Sequence, residues 1–283
     1  MSLLITGAGG QVGRELVALC RARGLPHRAF AHGDLDICDQ DAVRAAARDC
    51  AAIVNAAAYT AVDRAEEDEA AAFAVNRDGA AVLARTGLPL LHVSTDYVFD
   101  GSKTGPYLED DPVAPQSVYG RSKLAGEEAV MAANPRHLIL RTAWVFGAGG
   151  GNFVKTMLRL GRERRELSVV DDQRGGPTPA AAIAEALLAM AEACQAPGFA
   201  DWGLYHFCGQ PAVTWKAFAE AIFAMAELTV DVSATTTAAY GAPAPRPANS
   251  VLDCGKIGRV FSVPQPDWRE GVAAMLKATG EAG

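Results

Sequence analysis

Short apolar runs alternate with segments of helical periodicity along the whole chain. Leu3-Leu4-Ile5-Thr6, Ala52-Ile53-Val54-Asn55, Leu90-Leu91-His92-Val93 and His137-Leu138-Ile139-Leu140-Arg141 read as buried strands, and a further strand is placed near His27 to Ala31. Between them, Val12, Leu16, Leu19 and Cys20 mark one side of a helix ending near Gly24, and Asp41 stands where it can cap a helix over Ala42 to Arg48. The segment Leu124 to Met131, opened by Tyr119-Gly-Arg-Ser-Lys123, is compatible with a further helix. This order predicts an α/β fold around a doubly wound parallel sheet. The later half reads as a smaller α/β unit. It has strands at Leu167 to Val170 and Gly203 to Phe207. Its helices run over Phe153 to Leu160 behind Asn152, Ala180 to Ala193, Trp215 to Ala226 behind Thr214, and onward from Trp268. Gly147 to Gly151 is the expected crossing, so residues 1–147 and 148–283 are the expected domains, with some later segments returning to the first.

Composition narrows the class without choosing a function. The 283 residues are 50% hydrophobic and 21% charged, which suits a globular protein of one large or two modest domains. A net charge of −7 argues against nucleic acid or a membrane surface as a general partner. No apolar run is long enough to span a bilayer, and Met1-Ser2-Leu3-Leu4-Ile5 does not read as a signal peptide. Cys20, Cys38, Cys50, Cys194, Cys208 and Cys254 form no C-x-x-C pair and read as buried thiols of a reducing cytoplasm.

The first strand runs directly into Gly7-Ala8-Gly9-Gly10-Gln11-Val12-Gly13, and a helix follows. Strand, glycine loop and helix are the setting of a dinucleotide fingerprint, with Gly7, Gly10 and Gly13 as the spaced glycines. Such a loop lets a pyrophosphate meet the backbone and the helix N-terminus. The second strand ends in Phe30, Ala31, His32 and Gly33, without the carboxylate that grips the ribose of NAD, while Asp34 falls past the strand end. NADPH is therefore expected, with NADH also possible, and His32 or Arg28 as attractors of the 2′-phosphate. Asp36 and Ile37 are placed against the adenine. Ala56, Ala57, Ala58 and Thr60, beyond the third strand, let backbone approach a flat ligand. The acidic run Glu66 to Glu69 reads as a solvated first turn. Asn76 is either an exposed helix residue or a polar group pinning a kink beneath a reactive tyrosine.

The chemistry gathers around Ser94-Thr95-Asp96-Tyr97-Val98-Phe99, followed by Tyr119 and Lys123. Residues four apart on a helix share a face. A lysine charge beside a phenol lowers its pKa from the usual ~10, which fits a proton donor or acceptor near neutral pH. The turn-rich segment from Lys103 to Pro115 is expected to close over a ligand.

Taken together, Gly7 to Leu16, Asn55 to Glu66, Ser94 to Phe99, Val118 to Glu128, Arg141 to Phe146, Asn152 to Leu160, Asp172 to Thr178, Gly203 to His206 and Arg246 to Leu252 resemble the extended short-chain dehydrogenase/reductases, and within them the reductases of dTDP-4-dehydrorhamnose. The resemblance covers nearly the whole chain and implies a Rossmann domain. It implies NAD(P)H-dependent reduction of the C4 ketone of a dTDP-4-keto-6-deoxy sugar. It places Thr95, Tyr119 and Lys123 at the catalytic positions. Val62, Asp96, Tyr97 and Trp144 fall around the sugar, and Asn152 and Arg246 near the nucleotide. It also implies a monomer or a homodimer, with a magnesium ion at a dimer interface in some members. Glu15 matches one such ligand, Glu163 or Glu166 another, and Glu281 makes a poor third. Other readings on the same scaffold are a nucleotide-sugar epimerase, a dehydratase, and a non-catalytic NAD(P)-binding regulatory subunit. Asp96-Tyr97 stands where dehydratases usually carry Asp-Glu.

Overall fold

The computed structural model describes residues 1–280. Strands β1 (Leu3–Thr6), β2 (His27–Phe30), β3 (Ala52–Asn55), β4 (Leu90–Thr95), β5 (His137–Thr142) and β6 (Gly203–His206) form one parallel sheet in the order β6-β5-β4-β3-β1-β2. The inner strands of a parallel sheet are covered on both faces, which is why β1, β3, β4 and β5 read as largely apolar runs, whereas the edge strand β2 does not. Alternate residues serve opposite faces. Leu3 and Ile5 enter a core with Leu16, Ile183 and Leu187, while Leu4 enters another with Val43, Ile53, Leu83 and Ile139. The strand order reverses between β1 and β3, the point where open α/β sheets receive ligands.

Helix α1 (Gln11–Ala22) follows β1, and α2 (Gln40–Ala47) follows β2. The cap of α2 is Asp39, not Asp41: its carboxylate accepts from the Asp41 and Ala42 amides, so Asp41 is already inside the helix. After β3 come a short helix, Val62–Ala65, and a helical run of three pieces, Glu69–Phe73, the π-helical Ala74–Gly79 and Ala80–Ala84. The acidic segment before this run is not simply solvated. Asp68 caps Glu69–Phe73, and Glu66 reaches the Val118 amide at 2.8 Å. Helix α3 (Val118–Ala133) starts earlier than its apolar pattern suggested, because the Ser117 hydroxyl accepts from the Gly120 amide.

Helices α4 (Phe153–Glu163), α5 (Ala180–Ala193), α6 (Trp215–Met225) and α7 (Trp268–Thr279) belong to the later half. Phe146, Leu158, Phe218, Ile222, Trp268 and Val272 form a separate core there. A parallel strand pair, Glu166–Val170 with Asp231–Thr235, lies beside it. α5 and β6 instead return to the first sheet, where β6 borders β5. The expectation of buried thiols is not met by Cys38, which is exposed. Among the described residues no helix is long and apolar enough to cross a membrane.

Candidate active site

The glycine loop sits at the reversal point. Gly7 has φ +70°, and a Cβ there would fall 2.4 Å from the Ala56 carbonyl carbon. A Cβ on Gly13 would fall 2.2 Å from the Gly7 oxygen. Gly10 donates its amide to Gly7 O at 2.9 Å and stands at the start of α1 without capping it by a side chain. The first amides of α1, from Gln11, Val12 and Gly13, lack intrahelical acceptors. A flat cradle, uncapped amides and the helix dipole fit the pyrophosphate of a dinucleotide. Ala56, Ala57 and Ala58 border it and are half-buried, whereas Thr60 is exposed.

Several cofactor-side expectations receive different neighbours. Arg28 is not free for a 2′-phosphate: its guanidinium donates to the carbonyls of Ala45 and Arg48, at the C-terminal end of α2. His32 is exposed. The Asp34 carboxylate folds back to accept the Ala31 amide at 2.9 Å, so an acid does stand at the end of β2. Arg14 was missed; its Nε donates to Gly9 O at 2.7 Å, and it lines a shallow pocket with Gly9, Ala31 and Asp34. Asp36 accepts from the Cys38 amide, and Ile37 is buried against Gly79, so that side chain packs the core. Asn76 is the buried alternative. Its Oδ1 accepts the Tyr59 amide at 2.8 Å, and its Nδ2 donates to Tyr59 O and Ser122 Oγ, inside the π-helical turn against α3.

β4 ends in Thr95, and Asp96–Val98 turns once as a 3₁₀ helix. The Thr95 hydroxyl accepts the Tyr97 amide and donates to Asp96 Oδ1 at 3.1 Å. α3 comes very close to this turn, since a Cβ on Gly120 would lie 2.3 Å from Tyr97 O. Tyr119 thus meets Tyr97 edge to face, with ring centres 5.7 Å apart, and lies beside the Thr95 hydroxyl. Thr95, Asp96, Tyr97 and Tyr119 are therefore brought together.

Lys123 is where the expected electrostatics changes. Its Nζ points into the fold, donating to Val93 O at 2.7 Å and lying 3.4 Å from His92 Nε2. Burial draws it down to about 8, against the pull of Glu127. The Tyr119 phenol is not lowered. Burial pushes it up to about 12, opposed by the Thr95 hydrogen bond and helped by the Asp96 charge. Burial also lifts Asp96 to about 6 and Tyr97 well above the usual phenol. His92, fully buried, is held well below its usual value by burial and by Lys123. Beneath these groups Glu127 is locked: Arg141 grips it through Nε and Nη2 at 2.9 and 2.6 Å, and Ser94 donates at 2.5 Å.

The expected sugar-side residues divide. Val62 opens its short helix, half-buried. Arg246 holds both Asp63 oxygens, at 2.9 and 2.8 Å, and lies near the Tyr97 hydroxyl. Trp144, at φ +46°, stacks flat on Trp215 with centres 3.4 Å apart, and its indole fills the space over Gly175. Trp215 was not singled out in the sequence. Asn152 lies by the glycine loop: Nδ2 donates to Gln11 Oε1 and Gly147 O, and Oδ1 caps α4. Gln11 also reaches Val145 O at 3.5 Å. The segment after Lys103 is no free lid. Tyr107 pairs with Val251 and Asp253, and Asn249 donates to the Lys103 and Gly105 carbonyls.

The magnesium expectation on Glu15 finds no support. Among the described residues no three His, Cys, Asp or Glu gather to hold a metal. Glu163 pairs with Arg159, Glu166 is an exposed strand residue, and Glu281 lies outside the described residues.

A family described as the RmlD substrate binding domain matches residues 1–280. The dTDP-4-dehydrorhamnose reductase of Aggregatibacter actinomycetemcomitans is 46% identical over 280 residues, covering 94% of this chain and 95% of that one. The crystal structure of a dTDP-4-dehydrorhamnose reductase from Clostridium acetobutylicum superposes with a TM-score of 0.93 at 36% identity, covering 99% of this chain and 100% of that one. The Bacillus anthracis reductase of the same name, in complex with NADP, gives 0.91 at 35% identity, with 98% and 99% covered.

Proposed function

The chain belongs to the RmlD substrate-binding-domain family, and from this we infer that it is an NADPH-dependent oxidoreductase reducing the C4 ketone of dTDP-4-dehydro-L-rhamnose to dTDP-L-rhamnose. The observation that carries this reading is the meeting of Thr95 and Tyr119 at the carboxyl end of β4, on the same edge of the sheet as the uncapped start of α1. Gly7, Gly10 and Gly13, with the amides of Gln11 and Val12, take the dinucleotide's pyrophosphate. NADPH held there would supply a hydride for the sugar carbonyl carbon. As negative charge develops on the carbonyl oxygen, Tyr119 gives it a proton and Thr95 gives it a hydrogen bond. A phenol held at about 12 is fully protonated at neutral pH, the state a reductase needs at the start of its cycle. Asp96, Tyr97, Trp144 and Arg246 are assigned to the sugar-nucleotide.

The test is NADPH oxidation by the purified protein with dTDP-4-dehydro-L-rhamnose, run beside UDP- and GDP-linked ketosugars and with NADH. Stoichiometric oxidation with the dTDP-linked ketone is expected. Sugar conversion without net NADPH consumption would instead mark an epimerase, and no turnover with any of them would sink the enzyme reading.

A further inference from the structure

Thr6, Asn55, His92 and Lys123 form a row across three strands into α3, and none is more than 2% exposed. The polarity of this row is fixed at one end. Asn55 Oδ1 receives the Ala57 amide at 3.1 Å and the Thr6 hydroxyl at 2.7 Å, which identifies it as the oxygen. Asn55 Nδ2 therefore donates to His92 Nδ1, 2.9 Å away. A neutral imidazole that accepts at Nδ1 carries its proton on Nε2. That proton faces Lys123 Nζ at 3.4 Å, on a nitrogen that already donates to Val93 O. An ammonium has no lone pair, so the contact sets donor against donor; a neutral amine accepts it.

We propose that Asn55 and His92 are positioning residues acting through Lys123: the fixed direction of their hydrogen bonds presents the Nε2 proton to the lysine nitrogen, favours the neutral amine, and so sets the pH at which Lys123 carries charge. This rests on Lys123 holding the catalytic position that the family resemblance gives it. Burial of Lys123 acts in the same direction, and His92 stays neutral where the amine titrates. The other ionisable groups around Lys123 are Tyr119 and Glu127 on its own helix, Arg141 of β5, which holds Glu127, and Asp96 beyond β4. The helical run packed on α3 offers Asn76 there, while its Arg77 and Asp78 pair with each other at the surface.

Histidine-selective ¹⁵N spectra of the protein without substrate or cofactor test the tautomer directly. His206 is the internal control, because its Nδ1 faces the Tyr107 carbonyl and must carry the proton. Between about pH 7 and 9, His92 and His206, each assigned by the signal its substitution removes, are expected to be neutral imidazoles of opposite tautomer, with Nε2–H at His92. Its shifts should respond to a titration near 8. An Nδ1–H tautomer at His92, or a charged His92, would overturn the proposal. In His92→Phe, the basic limb of the kcat profile for NADPH oxidation should move up by about one unit or more. An unmoved limb in a folded variant also overturns it. Failure of the unaltered protein to oxidise NADPH would instead count against the proposed activity and leave the tautomer result standing.

Discussion

Glu66 Oε1 accepts the Val118 amide at 2.8 Å, tying the segment after β3 to the first turn of the helix that carries Tyr119 and Lys123. A helix-start amide without an acceptor is costly in a half-buried place. Glu66→Ala should lower unfolding free energy by about 1–2 kcal/mol and reduce kcat by loosening Tyr119. Glu66→Gln keeps an acceptor and should recover most of both. Urea denaturation and steady-state rates check this; an Ala variant as stable as the parent would show that the contact contributes nothing.

Tyr119→Phe keeps the ring against Tyr97 and removes the proton donor. Turnover should fall by roughly 10²–10⁴, the usual scale for a general acid, with the thermal midpoint little changed. NADPH oxidation at saturating sugar is the measurement. A variant that turns over nearly as fast as the parent takes the proton-donor role from this residue.

Asp96 is lifted from 3.8 to about 6 by burial. Between those values the folded chain holds a proton that the unfolded chain has released, so this group's contribution to stability falls as pH rises through the window. The shift corresponds to at most about 3 kcal/mol. Asp96→Asn has no such titration. Its stability relative to the parent should therefore climb from about pH 4 to about pH 6 and then level off, as read by denaturation at a series of pH values. A constant difference across that range contradicts a raised carboxyl.

Gly13→Ala would put a methyl 2.2 Å from the Gly7 oxygen and force α1 away from the loop. NADPH affinity should drop at least tenfold, about 1.4 kcal/mol or more, measured by fluorescence titration of the dinucleotide. Unchanged affinity would place the pyrophosphate elsewhere.

The inner strands of the sheet are legible because they are buried on both faces and so appear as apolar runs, and α5 has the bounds its sequence suggests. The strand Asp231–Thr235 is not, because it is mostly exposed and short, with only Val232 of its alternating residues packed against the later core. The strand, glycine loop and helix, and the Tyr119–Lys123 spacing, stand in local order, whereas the place of Thr95 comes only through the family resemblance. What local order hides is direction. Tyr119 and Lys123 do follow one another on one helix, but the lysine leans into the core toward Val93 and His92, and burial, which no spacing reveals, raises the phenol instead of lowering it. Asn55 and His92 sit in strands whose apolar neighbours explain them as filler. Only the pairing of β3 with β4 puts them side by side.

β6 closes the outer side of β5, although residues 143–202, which include α4 of the later half, are made between them. A fragment ending near Gly147 would leave the amides and carbonyls along that side of β5 open, a ready template for another molecule's backbone. The same holds on the ribosome: the nascent chain carries an unfinished border until Gly203–His206 has left the exit tunnel. Expression of the first half alone is therefore expected to yield aggregates, not a small dinucleotide binder.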